Sequence, residues 1–508
     1  MKIISLPNPL TKYPYMKGAQ CKKSLWLNYH SPNLKALPTL EEKLHFENGR
    51  KVGLLARKLH PNGIDISENG RYSGMELVNR TKLALEGTGT VFYEAAFITP
   101  GNKMMSVADI LIRGEKRIVV IEVKSATKIK LPEYVDDVSF QYRVFNDCGF
   151  DMKKFEIHLA FLNRDYCLDG DELDLDDLFL EENMTFRAIE NQVLLNRRLY
   201  ELQPSISDSK CPSHRIGAHC SQPHPCAFKN HCWQNVPEQN IFTISRIKKR
   251  KAEKLLSNGI IDLNDIDERV ELTELQRIQV DAYKSNSPNI NIKKIKSFLD
   301  SLNWEAPMFF LDFETMRPAI PRFHGTSPYQ QICVQYCLLK RDSPKSTLQR
   351  REFIGDFSID PRRDFIEQLL DETEDIGDII VYNETFEKGR LLELADCFPE
   401  YASDIRNRVS RLKDLEIPFA KKDYYHPMMK GSASIKNVLS SVVPDMVDAY
   451  KKLPINNGAI AMFKYEGLSE MEFVERQKTI QELLEYCYTD SYSMVRVVDA
   501  LKSLTEKK

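Results

Sequence analysis

Two apolar, β-rich runs constrain this chain most: KRIVVIEVKSA around Glu122 and MFFLDFET around Asp312, whose acidic residues stand 190 positions apart (312 less 122). In a strand, residues two apart share a face, so Glu122 and Lys124 point one way while Ile121 and Val123 point into the core. Asp312 and Glu314 share a face in the same manner. A single hydrophobic core stops growing at about 250–300 residues, so 508 residues should form two or three domains. The expected divisions are 1–237, a helical linker at 238–300, and 301–508.

Around these strands the pattern alternates between sheet and helix. The run EEKLHFENGRKVGLLARKL (41–59) is helical, VFYEAAFIT is a strand, and SVADILIRGEKRIVVIEVKSA holds Asp109 on one strand and Glu122 on the next. A helix is expected at 136–147, a strand at 158–162, and an acidic loop or edge at 165–182. Beyond Trp304, the runs MFFLDFET, QICVQYCLLKR and GDIIVYN read as strands, with helices from Glu387 and from Ile480. The expected class is α/β (α+β), with mixed sheets flanked by helices. Between them, SRIKKRKAEKLLSNGIIDLNDI reads either as a solvated linker or as a small helix-hairpin-helix unit. In the second reading Gly259 allows the tight turn and backbone amides meet phosphate.

With 42% hydrophobic and 28% charged residues, the composition is that of a globular protein and argues against long disorder. The net charge of -2 means that any attraction to nucleic acid comes from local basic stretches. Residues 1–20 lack an apolar signal core, and no run of about eighteen apolar residues occurs, so a cytoplasmic protein without a membrane span is expected. Of eleven cysteines, Cys148, Cys167, Cys333, Cys337, Cys397 and Cys487 lie in apolar segments and read as core residues.

Asp109 and Glu122 can hold Mg²⁺ or Mn²⁺ through oxygen ligands, and Lys124 can orient a metal-bound water or stabilise charge on a phosphate. A bare E-x-K is common as a surface charge pair, so the order of elements matters. Helix, strand with Asp109, turn, apolar strand with Glu122-x-Lys124, then a helix with Gln141 and Tyr142: this order resembles the PD-(D/E)xK nuclease fold. Within that fold it is similar to the RecB-like and CRISPR-associated exonucleases. The resemblance implies Asp109 and Glu122 as metal ligands, Lys124 as the catalytic lysine and Gln141 as the motif glutamine. Where members carry a metal-binding histidine in the early helix, this chain has Gly53. Glu94 is the candidate substitute ligand, with His45 and Glu47 as alternatives.

The segment AHCSQPHPCAFKNHCW places Cys220, Cys226 and Cys232 six residues apart, with Cys211 upstream and His214, His219, His224 and His231 in the same window. So many soft ligands in a Pro-rich loop point to a metal or a cluster. A zinc ion would take cysteine and histidine tetrahedrally. The same nuclease families resemble this chain in one early cysteine before Trp-Leu and three late ones. That likeness implies a structural [4Fe-4S] cluster held by Cys21, Cys220, Cys226 and Cys232, with Cys211 as a spare.

In the second half, D-x-E at the end of MFFLDFET is a weak signal alone. It is joined by Tyr486 and Asp490, four apart on the helix LLEYCYTDSYSMVRVVDAL, and by Glu387 at a helix start. This set resembles the DEDDy 3′-to-5′ exonucleases of ribonuclease-H-like fold, and more narrowly an uncharacterised bacterial domain fused behind RecB-like nuclease domains. The resemblance implies Asp312, Glu314, Glu387 and Asp490 as ligands of Mg²⁺ or Mn²⁺ and Tyr486 as the residue that orients water. Family members usually carry aspartate where Glu387 stands. The narrower likeness includes residues 321–329 and the GSASIK run, where Ser434 and Lys436 either meet phosphate or begin a helix. The expected function is a two-site, metal-dependent nuclease acting on DNA ends or single strands in repair or defence. Its alternatives are a nucleic-acid-binding protein with one or both sites inactive, and an RNA exonuclease.

Overall fold

The computed structural model describes residues 9–506, a mixed α/β chain that divides into two compact units. The first unit holds residues up to Asn235 together with Pro318–Tyr329, and the second holds Val236–Arg317 and Gln330 onward. The stretch 238–300, expected as a linker, groups with the second unit. Residues 318–329, which fall inside the expected C-terminal domain, group with the first.

The first unit is built on a seven-stranded sheet: β1 (Leu10–Thr11), β2 (Ile64–Asp65), β3 (Val91–Ile98), β4 (Met104–Arg113), β5 (Ile118–Lys124), β6 (Phe155–Leu162) and β7 (Phe179–Asn183). Its order is β2-β3-β4-β5-β6-β7, with β1 pairing alongside β4. β3, β4 and β5 are antiparallel neighbours, whereas β5 and β6 run parallel across the Leu131–Asp147 helix. A parallel pair needs such a crossover. Both faces are covered: Phe92, Ala108 and Val120 join one core with Val138 and Leu195, while Tyr93, Ile110 and Ile121 join another with Val52 and Leu178. The even-numbered residues of β5 therefore lie under the 131–147 helix, the face to which Glu122 and Lys124 belong.

Sequence periodicity located the early helix, β3, β4, β5, β6 and the crossover helix to within a few residues, but not the two-residue strands β1 and β2. The early helix runs Leu40–Ala56, opened by a capping box between Thr39 and Glu42, and 57–59 tightens into a 3-10 turn. The acidic stretch 165–182 contains a short helix at Leu175–Leu178 and then the edge strand β7.

The second unit contains β8 (Asn289–Ile290), β9 (Met308–Met316), β10 (Ile332–Arg341), β11 (Gln349–Ile354), β12 (Asp378–Val381), β13 (Leu412–Asp414) and β14 (Tyr424–Tyr425). Five of these form a sheet of order β11-β10-β9-β12-β13, antiparallel on the β10 side of β9 and parallel on the β12 side. Phe309, Leu311 and Phe313 point into one core, so the alternate residues Phe310, Asp312 and Glu314 face the other way. The 34-residue helix Phe473–Glu506 packs across β9 and β10. Gln335 Nε2 donates to Leu483 O at 2.8 Å and Ser491 Oγ to Cys337 O at 2.9 Å, which pins the register of helix on sheet.

The basic stretch forms a helix at Lys249–Ser257 and turns at Gly259, whose φ of +81° favours glycine. A three-residue 3-10 turn follows at Leu263–Asp265, and the next α-helix begins only at Glu274. Cys333, Cys337 and Cys487 are buried as expected, but Cys167 and Cys397 are exposed and are not core residues. Among the described residues no helix is long and apolar enough to cross a membrane.

Candidate active sites

The β4–β5 register pairs Ile110 with Ile121, and one step further it sets Asp109 opposite Glu122. The ladder ends there, and Asp109 Oδ2 accepts the Val123 N–H at 2.7 Å. Lys124 Nζ donates to Glu122 Oε1 at 2.7 Å and also to Asp137. From the crossover helix, Gln141 Nε2 donates to Glu122 Oε2 at 2.5 Å and to Asp137 Oδ1 at 3.1 Å, and the buried Gln141 Oε1 has no hydrogen-bond partner among the described residues. Asp109, Glu122, Lys124 and Gln141 thus converge.

Of the candidates for an additional ligand, Glu94 borders the site, close enough that, after burial and Glu122, its charge helps to raise the Asp109 pKa. Glu94 lies opposite Asp109 in the β3–β4 register, but it sits at a positive φ of 55° and its Oε1 accepts from Arg57 Nη2 at 2.8 Å. Glu47 pairs with Arg50, and His45 is exposed.

Two residues of this site went unread in the sequence. Asp137 lies four before Gln141, one turn along the same helix face, and that spacing was a usable signal. Lys12 gave none: it is 110 positions from Glu122, yet its ammonium contacts Glu122 and lies 3.3 Å from Asp137. It is brought there by β1, which aligns Leu10 and Thr11 with Met104 and Met105, and by the Lys12–Gln20 helix, on which Tyr15 stacks against Phe140 at 5.1 Å. Tyr329, from the segment 318–329, donates its hydroxyl to Ser125 O at 2.9 Å beside Lys124.

The other end of the Lys12–Gln20 helix is capped by Cys21. Burial pushes the Cys21 thiol up to about 11, with Cys226 and Cys220 adding to the shift against hydrogen bonds from the Ser24 and Lys23 backbone. Cys232 is raised by burial and by Cys226, Cys220 and Cys211, against the pull of Lys23. All of these thiols are free, and Cys226 N donates to Cys220 O at 3.0 Å. The tightest metal-type grouping here is a different one: Sγ of Cys21 and ring nitrogens of His214 and His219 lie within 4.8 Å of one another. The donors suit a thiophilic group, and their spacing brings histidine closer to Cys21 than the sequence suggested.

In the second unit, carboxylate oxygens of Asp312, Glu314 and Asp490 lie within 4.8 Å of one another. β9 supplies the first two and the long helix the third. Parallel pairing sets Ile380 level with Phe310, so Asp312 lies just past the end of β12, beside the first turn of the Glu384–Cys397 helix. That turn carries Glu387, which is buried, with Oε2 lacking a partner among the described residues. Glu387 is near enough to raise the Asp312 pKa but stands outside the tight trio.

Tyr486 and Asp490 are both buried, not on a solvated helix face. Lys436 Nζ donates to Asn456 O at 2.5 Å and to Tyr486 Oη at 3.3 Å, and lies 5.1 Å from the ring centres of Tyr450 and Tyr486. Ser434 is exposed and starts the Ile435–Val442 helix without a side-chain cap. Tyr450, which no sequence signal marked, donates to Asp490 Oδ1 and lies 3.2 Å from Ser493 Oγ.

The electrostatics of the two sites differ. Burial and the neighbouring Glu122 raise Asp109 to about 8, whereas Glu122, despite burial, is held low by Lys12 and Lys124. In the second site burial, then Asp490, raises Glu314 to about 8; burial, then Asp414 and Glu384, raises Glu387 to about 8; Asp312 and Asp490 are also raised. An all-oxygen set with a surplus of buried negative charge suits Mg²⁺ or Mn²⁺.

A pH dependence follows from these shifts. Between about pH 4, where carboxylates of an unfolded chain ionise, and about pH 8, the metal-free fold keeps protons that the unfolded chain has lost. Its stability contribution from these groups therefore falls as pH rises through that window. A divalent cation competes with those protons, so Mn²⁺ should raise the melting temperature more at pH 8 than at pH 6. Differential scanning fluorimetry measures this, and an upshift independent of pH would count against the carboxylates as ligands.

The family described as "Domain of unknown function (DUF2779)" matches residues 309–434, a span that includes Asp312, Glu314 and Glu387 but stops before Tyr486 and Asp490. The chain is similar to "Uncharacterized protein MG366 homolog" of Mycoplasma pneumoniae, at 28% identity over 221 residues, covering 40% of this chain and 33% of that relative. It is also similar to "Uncharacterized protein MG366" of Mycoplasma genitalium, at 26% over 215 residues, 39% of this chain and 32% of the relative. "Uncharacterized protein UU173" of Ureaplasma parvum is 22% identical over 249 residues, 44% of this chain and 35% of the relative. The chain thus spans about a third of the length of these curated relatives. A solved structure, "Crystal structure of SSO0001", aligns with 42% of this chain and 91% of its own at 14% identity, with a TM-score of 0.14.

Proposed function

We propose that the chain is a cytoplasmic, metal-dependent nuclease with two phosphodiester-cleaving sites, acting exonucleolytically on DNA ends or single strands in bacterial repair or defence. The observation that carries this reading is the gathering of Asp312, Glu314 and Asp490 from a strand and a distant helix, with the unpartnered Glu387 oxygen beside them. Their convergence supports the DEDDy-like reading of the second half. Asp109, Glu122, Lys124 and Gln141 support the PD-(D/E)xK reading of the first.

Bound Mg²⁺ or Mn²⁺ would supply an activated water and neutralise charge on the phosphate. Asp312, Glu314, Asp490 and Glu387 would hold it in the second site, and Asp109 and Glu122 in the first. Tyr450 fixes the orientation of Asp490, and Tyr486, beside Lys436, orients the attacking water. Lys124 places an ammonium group beside the phosphate. Cys21, Cys220, Cys226 and Cys232 would hold a structural [4Fe-4S] cluster that ties the first helix to the last loop of the first unit. A violet absorption band with iron and sulfide supports that assignment, and bound zinc with a featureless spectrum would replace it with a Cys21–His214–His219 site.

Purified protein with Mn²⁺ should shorten end-labelled single-stranded DNA, and EDTA should stop it. One observation favours a second reading, nucleic-acid binding without cleavage in the first half: both Glu122 oxygens already accept from lysine or amide groups. In a chain whose second site is silenced by Asp312→Ala, binding without shortening at high protein concentration would decide for it. Labelled RNA in the same assay separates the ribonuclease alternative.

A further inference from the structure

We infer that Lys12 is a displaceable counter-ion of the first carboxylate site: its ammonium occupies Glu122 until a divalent cation takes that carboxylate, and it then contacts the substrate phosphate. The inference builds on the nuclease reading of that site. Glu122 Oε1 receives two ammonium groups, from Lys12 and Lys124, and Oε2 receives the Gln141 amide. Three of the four lone-pair sites of Glu122 are thus taken, and Oε1, with two ammonium donors, opens to a cation shared with Asp109 only when one of them leaves.

Gln141 is fully buried and braced on Asp137. Lys124 is two residues from Glu122 on the same strand, is 17% exposed and is also tied to Asp137. Lys12 is 31% exposed and arrives from a separate helix start. It is the most exposed of the three donors, and because it also lies 3.3 Å from Asp137 its flexible four-carbon stem can leave Glu122 while the ammonium keeps a carboxylate partner. Once released, its ammonium remains within a side-chain length of the carboxylates, where a scissile phosphate would lie. Lys12 would then set both the metal requirement of the site and part of its grip on the substrate.

The test uses the full chain carrying Asp312→Ala, so that Mn²⁺ binding reports on the first site, followed by the electron paramagnetic resonance signal of free Mn²⁺. Adding Lys12→Met should tighten Mn²⁺ binding about tenfold and raise KM for DNA, while Lys12→Arg should keep the weaker Mn²⁺ binding of the parent. An unchanged or weaker Mn²⁺ affinity in Lys12→Met overturns the counter-ion role, and an unchanged KM overturns the phosphate contact. Should Lys12→Met not fold, Lys12→Gln carries the same measurement, and loss of fold in both makes Lys12 a structural group and overturns the inference. Failure of the underlying reading looks different: the Asp312→Ala chain would then digest no DNA with Mn²⁺, whichever residue stands at position 12, while its Mn²⁺ binding would still report on the counter-ion role.

Discussion

Asp312→Ala, in a chain whose first site is silenced by Lys124→Ala, is expected to lower Mn²⁺-dependent release of nucleotides from a DNA end by about a thousandfold, or ~4 kcal/mol of transition-state stabilisation. Asp312 is the residue common to every part of the second site. It stands in the trio with Glu314 and Asp490, it responds to Glu387, and its backbone carbonyl and carboxylate lie at 3.6 and 3.7 Å from Cys487 Sγ on the long helix. Removing it leaves no residue that bridges the trio to Glu387. The same substitution should not weaken the fold. Burial and three neighbouring carboxylates push the Asp312 pKa far up, so an alanine there relieves repulsion, and the metal-free melting temperature should hold or rise. A large fall in melting temperature together with the lost activity would mean that Asp312 is structural.

Cys226→Ser is expected to have the largest effect on stability. If four thiolates hold one group, they close a loop from Cys21 to Cys232, and cross-linking about 200 residues lowers the entropy of the unfolded chain by an amount worth about 5 kcal/mol. For a unit of this size that corresponds to a melting temperature lower by about 15 °C. The loss should reach the first site as well, because the Lys12–Gln20 helix carries Cys21 at one end and Lys12 at the other, about 13 Å apart at 1.5 Å per residue. The check is a thermal melt paired with an absorption spectrum. A Cys226→Ser protein that melts with the parent and keeps its colour would remove Cys226 from the ligand set. Retained bound zinc would point instead to Cys21, His214 and His219.

Sheet-borne features were the most legible part of this chain. Period-two alternation assigned Glu122 and Lys124 to one face, and the short turn after Arg113 put Asp109 within one strand of them, because hairpin geometry is local. The Tyr486–Asp490 spacing was equally local, one helical turn. Boundaries slipped where no sharp breaker stands: the last helix begins at Phe473, not near Ile480, and the helix bearing Glu387 begins at Glu384. The short strands β11 and β13 carry little sequence signal, since half of QRREFI is charged and LKD is three residues long.

What the sequence concealed was contact across long separations. Lys12 meets Glu122 over 110 positions and Tyr450 meets Asp490 over 40, and neither lies in a pattern with a period. The placement of residues 318–329 with the first unit has the same character: Ala319 joins the core containing Tyr93 and Ile121, although its neighbours in sequence build β9 and β10. Glu94 was legible from its strand, but its pairing with Arg57, 37 positions away, was not. Its position opposite Asp109 is right for a ligand, but the positive φ at that residue accompanies a side chain paired with Arg57.

Anomalous X-ray scattering from crystals soaked in Mn²⁺ tests the account most directly. It predicts manganese peaks between Asp312, Glu314 and Asp490 and between Asp109 and Glu122, with Lys12 withdrawn from Glu122 in the loaded site. Empty carboxylate clusters at a Mn²⁺ concentration that supports DNA digestion would contradict it.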